Sequence, residues 1–182
     1  MKFYELSNAC GRTRYPEPTV FQESPWFEER FYRNECEHKY ELPIPYYVTN
    51  RYDPLDFPLS KNTLVSESFL NVIKKINTEY ESFESKIYYE KKEEMWGTFY
   101  TMLFPEYELF NWEKSEYRYM NNIIATIKKI VLDKSKVEKT KFENNIFVLK
   151  EKKTYLLCTE VAKKAIEDAG LKGMTFEEIE VM

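Results

Sequence analysis

The sequence predicts an α+β fold: a single domain over 1–182, built on a mixed or mainly antiparallel sheet with two strand–helix–strand units at 64–89 and 155–181. Three observations carry this. Two stretches repeat the same order of strand, cap, short apolar helix, stop and strand. The chain is rich in strand-forming aromatics and poor in glycine, with 15 Tyr, 13 Phe and 4 Gly. Strand signals are mixed and helical ones few, which suggests an α+β domain.

Taken in order, residues 1–59 form an irregular, aromatic and proline-rich N-terminal part. Lys2 to Leu6 fits an edge strand. Ser24-Pro25 opens a short helix, with serine as N-cap and proline at the first helical position. Prolines 43, 45, 54 and 58 forbid a helix and a central strand, leaving Tyr46 to Thr49 as a brief edge strand. Residues 60–182 form the body.

In the body's first unit, Leu64 and Val65 lead into Ser66-Glu67, and an apolar stripe of Phe69, Val72, Ile73 and Ile76 ends at Asn77. Next come a charged turn at Glu90 to Glu94, a strand from Trp96 to Phe104 closed by Pro105, and the stretch Leu109 to Tyr117. Ile123 to Leu132 satisfies either period, and its β-branched content tips it to strand at its end. Ile146 to Leu149 and Tyr155 to Cys158 form a hairpin feeding the second unit.

That second unit repeats the first. Thr159 can cap a helix through its hydroxyl, Glu160 complements the helix dipole, and Ala162, Ala165, Ile166 and Ala169 make one stripe. Gly170 supplies the left-handed stop, Gly173 the turn, and Met174 to Ile179 the last strand. An offset of 93 residues carries Ser66 to Thr159, Phe69 to Ala162, Asn77 to Gly170 and Phe83 to Phe176 without a gap. The two units are related halves of one domain or two independent uses of good capping chemistry. The match at both stop and strand favours the first.

At 182 residues the chain is long enough to bury roughly 70% of its unfolded surface. A net charge of −4 argues against nucleic acid as a partner and fits a basic protein partner. The N-terminus lacks the apolar run of a signal peptide, nothing is apolar enough to span a bilayer, and three cysteines fit a reducing compartment. The expectation is a cytoplasmic protein, with no membrane contact and homo-oligomerisation left open.

Reactive residue types are scarce. His38 is the single histidine, so any Ser-His or Cys-His mechanism has to use it. Cys10, Cys36, His38 and Cys158 lack zinc-ligand spacing, and no phosphate-binding glycine loop is present. Many carboxylates leave a glycosidase-like pair conceivable but give no means of choosing one. Lys128, Lys129, Lys134, Lys136, Lys139 and Lys141 fit a solvated basic face. The residues therefore favour a non-enzyme, with no catalytic, cofactor or metal site.

Several segments together carry a resemblance: Phe110-Asn111-Trp112-Glu113-Lys114-Ser115-Glu116-Tyr117, then Lys129 to Asp133, Ile146 to Leu149, and Cys158-Thr159-Glu160 through Ala169-Gly170-Leu171-Lys172-Gly173 to Phe176. In that order, over residues 60–180, they resemble an immunity-protein family of bacterial polymorphic toxin systems. The family pattern has an aspartate ahead of Glu113 where this chain has Trp112, and Val-Ser where it has Cys158-Thr159. The resemblance implies a protein that binds a cognate toxin domain, with a basic nuclease as the default, and blocks it by occlusion without chemistry. It singles out Lys114, Ser115, Glu116, Tyr117, Gly170, Gly173 and Phe176 as motif residues with structural roles: Asn111 or Ser115 capping a turn, Tyr117 burying its ring. The acidic edges Glu79, Glu81, Glu84 and Glu177, Glu178, Glu180 are candidates for a partner-binding rim. The competing class is a regulatory or scaffolding protein that self-associates through an edge strand.

Overall fold

The computed structural model describes residues 1–9, 21–22, 43–48, 55–58, 63–89, 93–120 and 123–182. In chain order its strands and helices begin with β1 (Phe3–Asn8), β2 (Phe21–Gln22), β3 (Ile44–Val48), β4 (Leu64–Ser66), α1 (Glu67–Ile73), β5 (Glu81–Tyr89) and β6 (Glu93–Leu103). They continue with β7 (Glu106–Tyr107), β8 (Glu116–Met120), β9 (Ile123–Lys129), β10 (Val131–Leu132) and α2 (Lys134–Lys139). The chain closes with β11 (Ile146–Leu149), β12 (Lys152–Thr159), α3 (Glu160–Asp168) and β13 (Met174–Val181). Among the described residues a six-stranded sheet runs β10-β13-β1-β12-β11-β7, a five-stranded sheet β2-β3-β5-β6-β4, and β8 pairs with β9. Both larger sheets are mixed, so the α+β expectation holds.

The two strand–helix–strand units share one topology. β4 and β5 both run antiparallel to β6, so they are parallel to each other with β6 between them. β12 and β13 flank β1 in the same way. In the second unit the N-terminal strand therefore fills the slot that β6 fills in the first. Lys2 to Leu6 was expected at an edge; β1 is instead the central strand of this trio, because both neighbours need an antiparallel partner to stay parallel across it.

The gap-free offset fails in the last strand. Leu64 lies across Thr101 from Phe83, whereas Leu157 lies across Glu5 from Glu177, one residue beyond Phe176. A one-residue slip turns a strand over. Phe83 accordingly packs on the outer face of its sheet with Leu64 and Ile87, and Phe176 on the inner face of the other.

The helices run in opposite directions and pack on each other and on their own sheets. Asp56 ties the start of α1 to the exit of α3: its carboxylate accepts from Ser66 Oγ (2.6 Å) and from the Lys172 backbone N–H (2.7 Å). Asn145 ties the other ends, its N–H donating to Asn77 O (2.9 Å) and its Oδ1 accepting from Thr159 Oγ1 (2.6 Å). Ser66 caps α1 by accepting from Phe69 N–H (3.1 Å). Thr159 sits at the expected N-cap but makes no side-chain cap bond, because its hydroxyl is committed to Asn145.

One core fills the space between the inner sheet faces and the helix pair, formed by Tyr4, Leu6, Val65, Phe69, Ile73, Met102, Ile146, Leu156, Ala162 and Ile166. Full burial of a side chain such as Phe69 contributes about 1.5–3 kcal/mol. A second core lies on the outer face of the six-stranded sheet, where Phe3, Phe147, Leu157 and Ile179 meet Phe110, Ile124 and Leu132.

Pro45 lies in β3, which pairs with both β2 and β5 and is not the edge strand expected. β2 reaches only Tyr46 and Tyr47, so the proline faces no ladder partner on that flank among the described residues. The 123–132 stretch forms two strands, β9 and β10, which break at Ile130 and join different sheets. α2, capped by Asp133 Oδ1 accepting from Ser135 N–H (2.8 Å) and Lys136 N–H (3.2 Å), was not expected. The Ser24-Pro25 helix, Cys10, Cys36 and His38 lie outside the described residues, as do residues 90–92 of the turn expected at 90–94, whose Glu93 and Glu94 instead begin β6.

Candidate partner-binding surface

The loop from Leu109 to Ser115 is built onto β10 by main-chain bonds: Asn111 N–H donates to Val131 O (3.0 Å) and Asp133 N–H to Leu109 O (2.8 Å). Asn111 caps the turn as expected, its Oδ1 accepting from Glu113 and Lys114 N–H at 3.1 Å each. Ser115 is buried and clasps Val131 on both sides, donating to its carbonyl (3.1 Å) and accepting from its N–H (3.0 Å). Beneath the loop, Glu151 accepts from Phe110 N–H at 3.2 Å, with Lys136 Nζ at 4.0 Å. The Glu151 side chain is only 7% exposed and its Oε2 has no partner, so burial pushes its carboxyl above the usual range.

This anchoring holds an aromatic cluster at the surface. Phe110 is fully buried, and the rings of Trp112 and Tyr117 stand edge-on to it at 5.0 and 5.6 Å and to each other at 5.4 Å. Tyr117 was expected to bury its ring; it stays 37% exposed, because β8 lies at the surface along its whole length. Trp112 (44%), Tyr119 (55%), Met120 (50%) and Ile123 (64%) extend the exposed apolar surface along the β8–β9 hairpin. Lys114 and Glu116 are exposed beside it.

The hairpin's own core-facing residue, Ile124, packs on the outer core. Between β9 and β13 runs a groove lined by Glu5, Lys128, Tyr155, Glu177, Glu178 and Glu180, among others. Here the structure gathers Glu177, Glu178 and Glu180. Glu178 is paired with Lys2 and Glu180 with Lys129, each at 3.0 Å. Glu81 and Glu84 stand on β5 and Glu79 just before it, so the two acidic groups belong to different sheets.

The remaining motif residues serve the fold. Gly170 (φ +65°) ends α3, and Gly173 (φ +93°) makes the turn into β13. A Cβ on Gly173 would meet Leu55 Cβ at 2.9 Å and Phe57 O at 3.1 Å, so the position needs glycine for space as well as conformation. Phe176 packs against the inner core. Cys158 is buried there too, and desolvation pushes its thiol up to about 12, which removes it as a nucleophile. Among the described residues no group of His, Cys, Asp or Glu could hold a metal ion, and no helix is long and apolar enough to cross a membrane. What the arrangement can do is present a rigid apolar surface with charged borders. Sequence reasoning found its anchors, Asn111 and Ser115. It missed Trp112, Tyr119, Met120 and Ile123; for Tyr119 the available signal was its alternation, with Tyr117, between Glu116 and Arg118 along β8.

The match to known families defines the class of protein. The model of the immunity protein family Imm11 matches residues 11–181, and the chain belongs to that family. The match reaches far into the N-terminal part, beyond the 60–180 stretch that carried the resemblance. No curated protein matches the chain.

Proposed function

We propose that the protein is a non-enzymatic immunity protein that binds a cognate toxin domain of a polymorphic toxin system in the producer's cytoplasm and neutralises it by occlusion. The observation that carries this is the exposed aromatic hairpin, Trp112, Tyr117, Tyr119, Met120 and Ile123, held rigid on the body of an immunity-family member. Exposed apolar patches rimmed by polar residues mark interaction sites, and aromatic side chains dominate binding energy at protein interfaces. In this reading the hairpin is the buried centre of the interface, and Glu177, Glu178 and Glu180 across the groove are its rim. Glu79, Glu81 and Glu84 lie on the other sheet and form a secondary candidate. A basic nuclease domain is the default target.

The test is co-expression with the C-terminal domain encoded by the gene immediately upstream. Survival of the cells and a purified 1:1 complex are expected. Unchanged toxicity, or two proteins that elute separately, would refute the proposal.

A further inference from the structure

The β8–β9 hairpin joins neither of the larger sheets among the described residues, so side chains fix it to the body. At its base, Ser115 clasps Val131. Toward its tip, two side chains of β12 reach β9. Lys152 Nζ donates to Ile124 O (2.9 Å) and more weakly to Ala125 O (3.5 Å), and Tyr155 Oη donates to Ile127 O (3.3 Å). These carbonyls border irregularities, since both register shifts in the ladder leave the extra residue on β9, at Ala125 and at Lys128. A bulge leaves its extra residue unpaired and bends the strand, so whatever holds the bulge sets the bend.

Lys152 is suited to this hold. It pairs with Leu149 at the start of β12, within the six-stranded sheet, and is half-buried. Its ammonium has no carboxylate partner among the described residues and is spent on the carbonyls of β9. A charge-assisted hydrogen bond is stronger than a neutral one, and it is directional where the packing of Ile124 and Ile127 on the outer core is not. The other tie from this strand, Lys129 to Glu180, is an exposed ion pair, a kind that contributes little. Ile124 lies across from Tyr119, and its chain neighbour Ile123 lies across from Met120. The grip of Lys152 therefore falls beside the exposed apolar residues of the proposed interface. We infer that Lys152, assisted by Tyr155, is a positioning residue for toxin binding: it fixes the angle at which the hairpin presents Met120 and Ile123, without itself touching the toxin. The inference rests on the proposed toxin-binding function and specifies how its binding face is aimed.

The experiment uses the full chain and the purified C-terminal domain encoded upstream. Lys152→Met keeps the stem and removes the ammonium, and Tyr155→Phe keeps the ring and removes the hydroxyl. In the free protein both variants quicken backbone amide exchange over residues 116–120 and 123–129, while β1 and β13 stay as protected as in the wild type. Lys152→Met weakens the complex about tenfold, the scale of one charge-assisted hydrogen bond, and Tyr155→Phe weakens it less. In an Ile123→Ala background Lys152→Met costs much less than in the wild type, because a side chain that it aims is gone. A direct contact with the toxin, or a general loss of structure, would instead add in full. Full additivity, unchanged hairpin exchange, or wild-type affinity in Lys152→Met would overturn the assignment and leave toxin binding standing. Should Lys152→Met not fold, the same cycle with Tyr155→Phe decides. Absence of any wild-type complex would refute the underlying function instead.

Discussion

The closing turn at Gly170–Phe176 and the β8–β9 hairpin are both rich in motif residues, and they use them in opposite ways. The closing turn is bound into the body: Gly173 is wedged against Leu55 and Phe57, the Lys172 backbone N–H donates to the Asp56 carboxylate, and Phe176 rests on the core. The hairpin leaves most of β8 exposed and is anchored by Ile124 and Ile127 on the outer core, with Phe110 and Ser115 of the preceding loop behind it. The difference teaches that one family motif can mix two uses: Ser115, Gly170, Gly173 and Phe176 build the frame, whereas Lys114, Glu116 and Tyr117 stay exposed on it.

That contrast is sharpened first in the body. Phe69→Ala removes a fully buried ring shared by both units and should cost about 3–5 kcal/mol. Chemical denaturation measures it, and a loss below about 1 kcal/mol would break the picture of one core joining the halves. Next, Gly173→Ala should cost about 1–3 kcal/mol and more than Gly170→Ala, because only Gly173 adds a close contact to its positive φ. Equal losses at the two glycines would show that Leu55 simply gives way.

On the hairpin, Met120→Glu should change stability by no more than about 0.5 kcal/mol, as surface substitutions generally do. A large loss would mean that the hairpin is part of the frame after all. The smallest effect lies beneath the loop. Burial raises the folded-state value of Glu151 above its unfolded one, so its contribution to stability is fully present below the ordinary glutamate range and is lost as pH rises through the raised value. Glu151→Gln should flatten the stability profile in that window while sparing the bond from Phe110 N–H, and an unaltered profile would assign the pH dependence elsewhere.

Much of the frame was legible because capping and periodicity are local. Ser66, Thr159, Gly170 and the stripe through Ala162 and Ile166 occupy the places their chemistry predicts. What local pattern could not carry is pairing. Nothing near Phe3 says that β1 will fill the slot between β12 and β13, and nothing near Phe176 says that its strand is turned over relative to Phe83. Thr159 shows the same limit for a single group, since its hydroxyl was taken by Asn145, fourteen residues away. The candidate surface was least legible, because exposed aromatics on a strand look in sequence like those of a core.

The central claim, that the body is frame and the hairpin is face, is tested most directly by cell survival under toxin-domain expression with two folded variants. One is Ile123→Glu on the hairpin, and the other is Val161→Glu on α3, whose side chain is also exposed. The account predicts that protection is lost with Ile123→Glu and retained with Val161→Glu, both proteins melting as the wild type does. Full protection by Ile123→Glu would contradict it.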